Sequence, residues 1–376
     1  MLGSDFIKKK RIGKHNMKRI VIMTHHMTSG GCERVIAQLA NWFVENNFEC
    51  TIMTEYNSGS FYKLDDRIEL YSLSDNKNYE SSNMLTIYRK FRKAVKYKNA
   101  DIVLAMPEKV NVWSIIALLG LKIPVVVSER NNPWLHPQNK IKRIMRKLFY
   151  PFASGYIFQT KQAASYFSRK VKQKGVVLPN PLDISQVPEP WKGERRKEVV
   201  GVGRLENQKN FPLLIKAFAE FHRTHPDYVL TIYGEGSKRD ELDHLAASLL
   251  PRNAYSLPGS TKELMENIKG VSMFVLSSNY EGLPNVLIEA MAVGIPVVST
   301  DCPSGGPGEL IENENNGLLI PVDDHIALYK AMEKIADSPN LGEKFSHNSL
   351  EIKKTFDSKL VIEQWRKYLE LCSKQK

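Results

Sequence analysis

Two doubly wound, Rossmann-like α/β domains facing each other across a cleft are what this sequence predicts, and three observations predict them. Strand-like and helix-like runs alternate along the chain, the pattern of parallel strands joined by crossover helices. The alternation lapses into proline and charge at VVLPNPLDISQVPEPWKGERRK, residues 176–197, and then restarts, as it does between domains. Glycine-rich turns follow several strand-like runs, at the strand ends where open α/β sheets hold ligands. With 376 residues, 42% hydrophobic and 25% charged, the chain is long enough for two cores without covalent staples. That composition excludes disordered, collagen-like and disulfide-scaffold classes.

Residues 1–16, MLGSDFIKKKRIGKHN, are basic and lack the apolar core of a signal peptide; a flexible leader is expected there. Met17 opens the first domain, residues 17–180. Its strands are expected at Lys18–Thr24, Cys50–Thr54, Asp101–Ala105 and Pro124–Ser128, with helices near Cys32–Glu45, Asn83–Lys98 and up to Leu119. A linker is expected over 181–197. The second domain, 198–355, has strand signals at Val199–Gly203, Tyr228–Tyr233, Ser272–Ser277 and Pro296–Thr300, and helix signals at Phe211–Arg223, Glu241–Leu250 and Leu287–Val293. A last helix, within 356–376, is expected to pack back on the first domain.

Cys32, Cys50, Cys302 and Cys372 form no C-x-x-C pair, which argues against a zinc site or a disulfide framework and fits a reducing, cytoplasmic setting. The longest nearly apolar stretch, Ser114 to Val127, is broken by Gly120, Lys122 and Pro124 and falls short of the roughly 18 uninterrupted residues that a membrane span needs. The net charge of +12 is unevenly shared: residues 1–200 hold 34 Lys and Arg against 17 Asp and Glu, whereas residues 201–376 hold 19 against 24. The basic half is expected to meet anions: lipid, phosphorylated substrate or nucleic acid. No nucleic-acid motif accompanies the charge, so a nucleic-acid partner is not expected.

The chemistry is expected in the strand-to-helix loops. THHMTSGGCERV places Ser29, Gly30 and Gly31 before a helix start, where backbone N–H groups favour an anion. GVGRLENQKN begins like a dinucleotide fingerprint with Gly201 and Gly203 but has Glu206 at the third glycine position; YGEGSKR fails at Arg239, and no P-loop occurs. GVGRLENQKN does supply Arg204 and Lys209, a planar fork and a point charge suited to a diphosphate. DCPSGGPGEL offers a further turn through Gly305, Gly306 and Gly308.

In NYEGLPNVLIEAMAVGIPVV, Glu281 and Glu289 lie eight residues apart. Pro284 suits a first helical turn, leaving Glu281 in the loop and Glu289 inside the helix. Eight helical residues rise roughly 12 Å, far beyond the about 5 to 5.5 Å of a retaining glycosidase pair. Two hydrogen-bond acceptors for separate hydroxylated rings of one ligand fit better, while helix-dipole complementation accounts for Glu289 but poorly for Glu281.

EGLPNVLIEAMAVGIPVV, with its E-x7-E spacing, together with GVGRLENQKN, SGGCERV and PSGGPGEL, resembles glycosyltransferase family 4, retaining enzymes with the two-domain GT-B fold. The resemblance implies that Arg204 and Lys209 hold the donor diphosphate, that Glu281 and the backbone of Gly282, Leu283 and Asn285 contact the donor sugar, and that Glu289 binds the ribose. It further implies that Gly30 and Gly31 approach the phosphates from the other domain, and that uridine is the donor base. SERNNPWLH, with Glu129, Arg130 and His136, departs from the histidine many members carry there and is similar to a subgroup acting on lipid-linked glycans of bacterial surfaces.

No D-x-D triplet occurs, and Asp65-Asp66 and Asp323-Asp324 lie outside the candidate loops, so neither a divalent metal nor any other cofactor is expected. Arg204, Lys209 and Glu281 are the expected catalytic residues. The acceptor is expected in the basic half, on Glu129, Arg130, His136, Lys140, Arg143 and Lys147. HPQNKIKRIMRKLFYPF sets Ile141, Ile144, Met145, Leu148 and Phe149 on one helical face, with Lys140, Lys142, Arg143, Arg146 and Lys147 around the other. Such a helix, joined by YRKFRKAVKYK at 88–98, fits an anionic membrane surface; the alternative is a core-facing helix with a solvated basic back. A peripheral enzyme on the inner face of the cytoplasmic membrane is therefore expected. The competing readings are a sugar-nucleotide epimerase or hydrolase, and a basic anion-binding protein without chemistry.

Overall fold

The computed structural model describes residues 17–75 and 84–374; the expected leader, 1–16, and the first residue of the helix expected from Asn83 lie outside them. The chain divides into two units, one of the residues up to Pro181 together with those from Ser358, the other of Leu182–Asp357.

In the first unit seven strands form a parallel sheet: β1 (Arg19–Thr24), β2 (Glu49–Thr54), β3 (Glu69–Ser72), β4 (Ile102–Ala105), β5 (Val125–Glu129), β6 (Gly155–Phe158) and β7 (Gly175–Val177). Their order is β3-β2-β1-β4-β5-β6-β7. Parallel strands covered on both faces must be apolar along their whole length, and β4, IVLA, is buried at every position. Helices α1 (Gly31–Glu45), α2 (Met84–Tyr97), α3 (Glu108–Leu118) and α4 (Lys140–Phe149) follow β1, β3, β4 and β5. α1 buries Val35, Ile36, Leu39 and Phe43, the stripe of an amphipathic helix laid on a sheet. The strand order reverses between β1 and β4, so the loops leaving those strands border the crevice where such sheets bind ligands.

The second unit has a parallel sheet of β8 (Arg196–Val202), β9 (Val229–Tyr233), β10 (Tyr255–Gly259), β11 (Val271–Leu276), β12 (Val297–Thr300) and β13 (Leu318–Ile320), ordered β10-β9-β8-β11-β12-β13. Its reversal lies between β8 and β11, which lead into α5 (Phe211–Thr224) and α6 (Asn285–Ala292). The loops after β8 and β11 are therefore neighbours, although about 70 residues separate them in sequence.

Two departures from the sequence expectations have physical causes. β3, β6, β7, β10 and β13 gave no strand signal. All but β6 are sheet edges, short and partly exposed, as β3 and β10 show, so pairing with an inner neighbour defines them more than their own residues do. Residues 181–197 are not a free linker: Leu182 is buried among Val200, Phe274 and Leu287, its N–H donates to the Phe356 carbonyl at 2.8 Å, and Arg195 donates to the carbonyls of Val271 and Gly294 at 3.1 and 2.6 Å.

The last helix, α7 (Ser358–Ser373), belongs to the first unit. Trp365, Tyr368 and Leu369 are buried against Ile20, Ile22 and Phe43. The Tyr156 N–H donates to the Tyr368 hydroxyl at 2.8 Å, which itself donates to the Lys174 carbonyl. The chain's end thus completes the core its beginning started. Trp365→Ala is expected to destabilise this unit by about 3 to 5 kcal/mol, read as a lowered urea midpoint; an unchanged midpoint would show that α7 contributes little.

Candidate functional site

In the second unit the loop after β8 carries Arg204 and Lys209. Gly203 is needed at its start by close approach: a Cβ there would stand 2.5 Å from Lys209 Cε, because the lysine stem lies across the glycine. Lys209 Nζ pairs with Glu281 Oε1 at 2.7 Å, with side chains 13% and 9% exposed. Glu281, in the loop after β11, also accepts from the Ser278 hydroxyl at 2.7 Å and from Gln208 Nε2 at 3.4 Å. Its own backbone is clamped, its N–H donating to the Pro303 carbonyl and its carbonyl accepting from the Ser304 N–H, both at 2.8 Å.

The two loops are laced directly as well. Ser277 Oγ donates to the Lys209 carbonyl at 2.8 Å, and Asn210 Nδ2 to Asn279 Oδ1 at 3.0 Å. Asn210 is left-handed, with φ of 45°, where it caps α5; an asparagine tolerates that conformation. The turn after β12 presses on the same loop: a Cβ on Gly306 would stand 1.7 Å from the Gly282 carbonyl oxygen, so only glycine fits. Arg204 is exposed and donates to Gln208 Oε1 at 3.3 Å. Glu289 is buried within α6, and Leu283 is buried beside Leu287. Asn285 begins α6, which leaves Glu281 outside the helix. Burial and the nearby Glu281 push the Cys302 thiol up to about 12, so it is no nucleophile. The structure thus brings Lys209, Glu281 and the turn around Gly282 together at one strand reversal, with Arg204 at the rim.

In the first unit, Gly30 is the extended residue before α1; its carbonyl accepts from the Tyr62 hydroxyl at 2.9 Å. Glu33 lies against it and pairs with His26 Nδ1 at 3.4 Å. His25 pairs with the buried Glu55, which also accepts from the Tyr88 hydroxyl at 3.1 Å. Burial first, then His25 and Lys109, lower the His26 pKa to about 4, so its imidazole is neutral near pH 7. Sequence reasoning passed over both histidines. Their signal was position: they follow β1 directly and lead into the glycine turn.

Glu129 was expected to face the acceptor. The structure buries it: Arg146 Nη1 lies 3.6 Å from Glu129 Oε2, with side chains 3% and 2% exposed, and the Tyr150 hydroxyl donates to Glu129. A strand-end carboxylate so enclosed anchors a helix. Arg130 donates to Asn180 and lies over the Trp365 ring at 5.7 Å. Arg143 donates to the carbonyls of Pro137 and Leu135 at 2.7 and 3.2 Å. Lys140 and Lys147 are exposed. His136 is half-buried, its pKa lowered by burial and then by Arg143 and Lys109. It borders a cavity of about 410 Å³ between α3 and α4, which Lys109, Trp113, Lys142 and Arg146 also line. Lys109 and Trp113 were not foreseen, because only the packing of α3 on α4 brings them there.

Two family profiles match the chain, "Glycosyltransferase Family 4" over residues 29–186 and "Glycosyl transferases group 1" over residues 185–351. A Campylobacter jejuni enzyme, an alpha-1,4-N-acetyl-D-galactosaminyltransferase named for an undecaprenol-diphosphate-linked glycan, is 29% identical over 94% of this chain and 98% of its own. Sucrose-phosphate synthase of Thermosynechococcus elongatus has a similar fold, with a TM-score of 0.80 at 17% identity over 93% of this chain and 97% of that one. Anabaena HepE, solved with UDP and glucose, has a TM-score of 0.79 at 19% identity over 93% and 98%. These likenesses span both parallel-sheet units and are those of the GT-B fold.

Two outcomes follow from the first unit. Arg146→Ala, which strands a buried carboxylate, is expected to cost about 3 to 5 kcal/mol by urea denaturation, whereas Glu129→Gln with Arg146→Met restores most of it; equal loss in both variants would deny the pair its anchoring role. The folded chain holds the His26 proton less tightly than the unfolded chain, so this group's contribution keeps stability full above about pH 6.5 and lowers it toward pH 4. His26→Gln is expected to flatten that part of the stability profile, and an unchanged slope would contradict the assignment.

Proposed function

The chain belongs to glycosyltransferase family 4, and from that premise we propose that it moves a hexose or N-acetylhexosamine, with retention, from a nucleoside-diphosphate sugar, UDP-linked, to a lipid-linked glycan at the inner face of the cytoplasmic membrane. The observation that carries the reading is the Lys209–Glu281 pair at the β8/β11 reversal. As the anomeric bond breaks, negative charge grows on the departing diphosphate. A fixed cation aimed at that charge lowers the barrier by more than one free in water, because its surroundings are already oriented.

In this reading Lys209 and Arg204 receive the diphosphate. Glu281 accepts from the donor sugar's hydroxyls, with Gly282, Leu283 and Asn285 beside it, and Glu289 accepts from the ribose. No divalent ion is needed where two side-chain cations meet the leaving group. The cavity between α3 and α4, with an aromatic wall at Trp113 and cations at Lys109 and Lys142, suits the acceptor's sugar and phosphate. The lipid-linked acceptor is supported by the activity for which the Campylobacter relative is named, and the UDP donor by the HepE complex. No helix among the described residues is long and apolar enough to cross a membrane.

The test is nucleoside-diphosphate release from a panel of nucleotide sugars with and without polyprenyl-diphosphate-linked glycans. Release that depends on the acceptor and persists in excess chelator is expected. Lys209→Ala and Glu281→Ala are each expected to lower turnover about 10²-fold or more with the fold retained by circular dichroism. Full activity in both variants would overturn the site, and epimerised donor without any acceptor would overturn transfer.

A further inference from the structure

Helix α4 is built the wrong way round for a helix on a globular surface. Asn139 starts it, its side-chain oxygen accepting from the N–H groups of Ile141 and Lys142 at 2.8 and 3.2 Å. A surface helix ordinarily buries its apolar stripe and exposes its charge. Here the one buried residue is Arg146, while Ile141, Ile144 and Leu148 are 67%, 59% and 60% exposed, and Phe152, one turn beyond, is 63% exposed.

The reversal is held by polar anchors. Arg146 donates to the carbonyls of Pro133 and His136 at 2.7 and 2.9 Å, faces Glu129 and lies over the Tyr166 ring at 4.8 Å. Met145 and Phe149 pack on the core cluster, so the helix is fixed on two sides with its aliphatic row outward. Positions 141, 144, 148 and 152 follow the helical period and make a row roughly 16 Å long.

We propose that this row is an insertion surface for an anionic bilayer, with Ile141, Ile144, Leu148 and Phe152 entering the acyl boundary. It deepens the lipid-linked reading above and rests on it. Charge selects the occupant. Lys140, Lys142 and Lys147 are exposed beside the row, and α4 contains no acidic residue. α2, which packs against α3 as α3 packs against α4, adds exposed Arg89, Lys90 and Lys93. A second copy docked through this face would bring lysine against lysine, and four side chains fall short of the about 800 Å² per partner of a stable interface. A narrow aliphatic row edged with lysines is what interfacial helices present to anionic lipid.

The experiment is flotation of the full chain with vesicles of phosphatidylcholine and phosphatidylglycerol, without donor or acceptor, against the Ile144→Glu/Leu148→Glu variant. Both positions are exposed, so the variant is expected to keep its circular dichroism and thermal transition. Wild type is expected to float and the variant to partition about tenfold or more less strongly, with part of the wild-type binding surviving salt that screens charge. Three results would overturn the proposal: equal flotation of the two proteins, no flotation of wild type, or a wild-type dimer that the variant dissociates. Transfer to a short-chain, water-soluble acceptor is measured in parallel. Its loss in wild type speaks against the proposed function, whereas its persistence in the variant that no longer floats separates membrane docking from catalysis.

Discussion

The ion pair of Lys209 with Glu281 is the contact around which the second unit arranges the loops that leave β8 and β11. At its degree of enclosure neither charge stands cheaply alone, since desolvation raises the cost of each and only a close partner offsets it. The pair therefore demands that two loops meet, and the sheet satisfies the demand by setting β8 beside β11 where the strand order reverses. The surrounding choices follow. Gly203 makes room for the lysine stem, Asn210 turns the chain into α5, and Ser278 and Gln208 donate to the carboxylate beside the lysine.

The first unit uses the same physics for a different end. Arg146 and Glu129 are also an ion pair at the carboxyl end of a parallel sheet, but they are sealed from solvent. So enclosed, the pair fixes the rotation of α4. That rotation puts aliphatic side chains where water is and leaves lysines around them.

Much of the fold was legible because parallel α/β domains write themselves in alternating periods and in glycine turns at strand ends. The loops bearing Gly30, Arg204, Lys209, Glu281 and Gly306 were all identifiable, each being a local departure from periodicity. The edge strands were not, since their few residues gain strand form from a neighbour. The enclosure of Glu129 was not legible for a related reason: the arginine that encloses it sits on the next helix, 17 residues away, at a distance no local pattern encodes. His25 and His26 went unremarked because Glu33, Glu55 and Lys109, which give them their electrostatic setting, come from three other segments.

What the sequence by itself determined is the kind of element at most places, the glycine- and charge-bearing loops at strand ends and the amphipathic character of α4, because these depend on neighbours within a few residues. Only the tertiary structure decided which charged and polar groups pair and which face of α4 turns inward. Those choices are settled by pairings between distant segments, in which the desolvation of one side chain is offset by another that folding alone brings within reach.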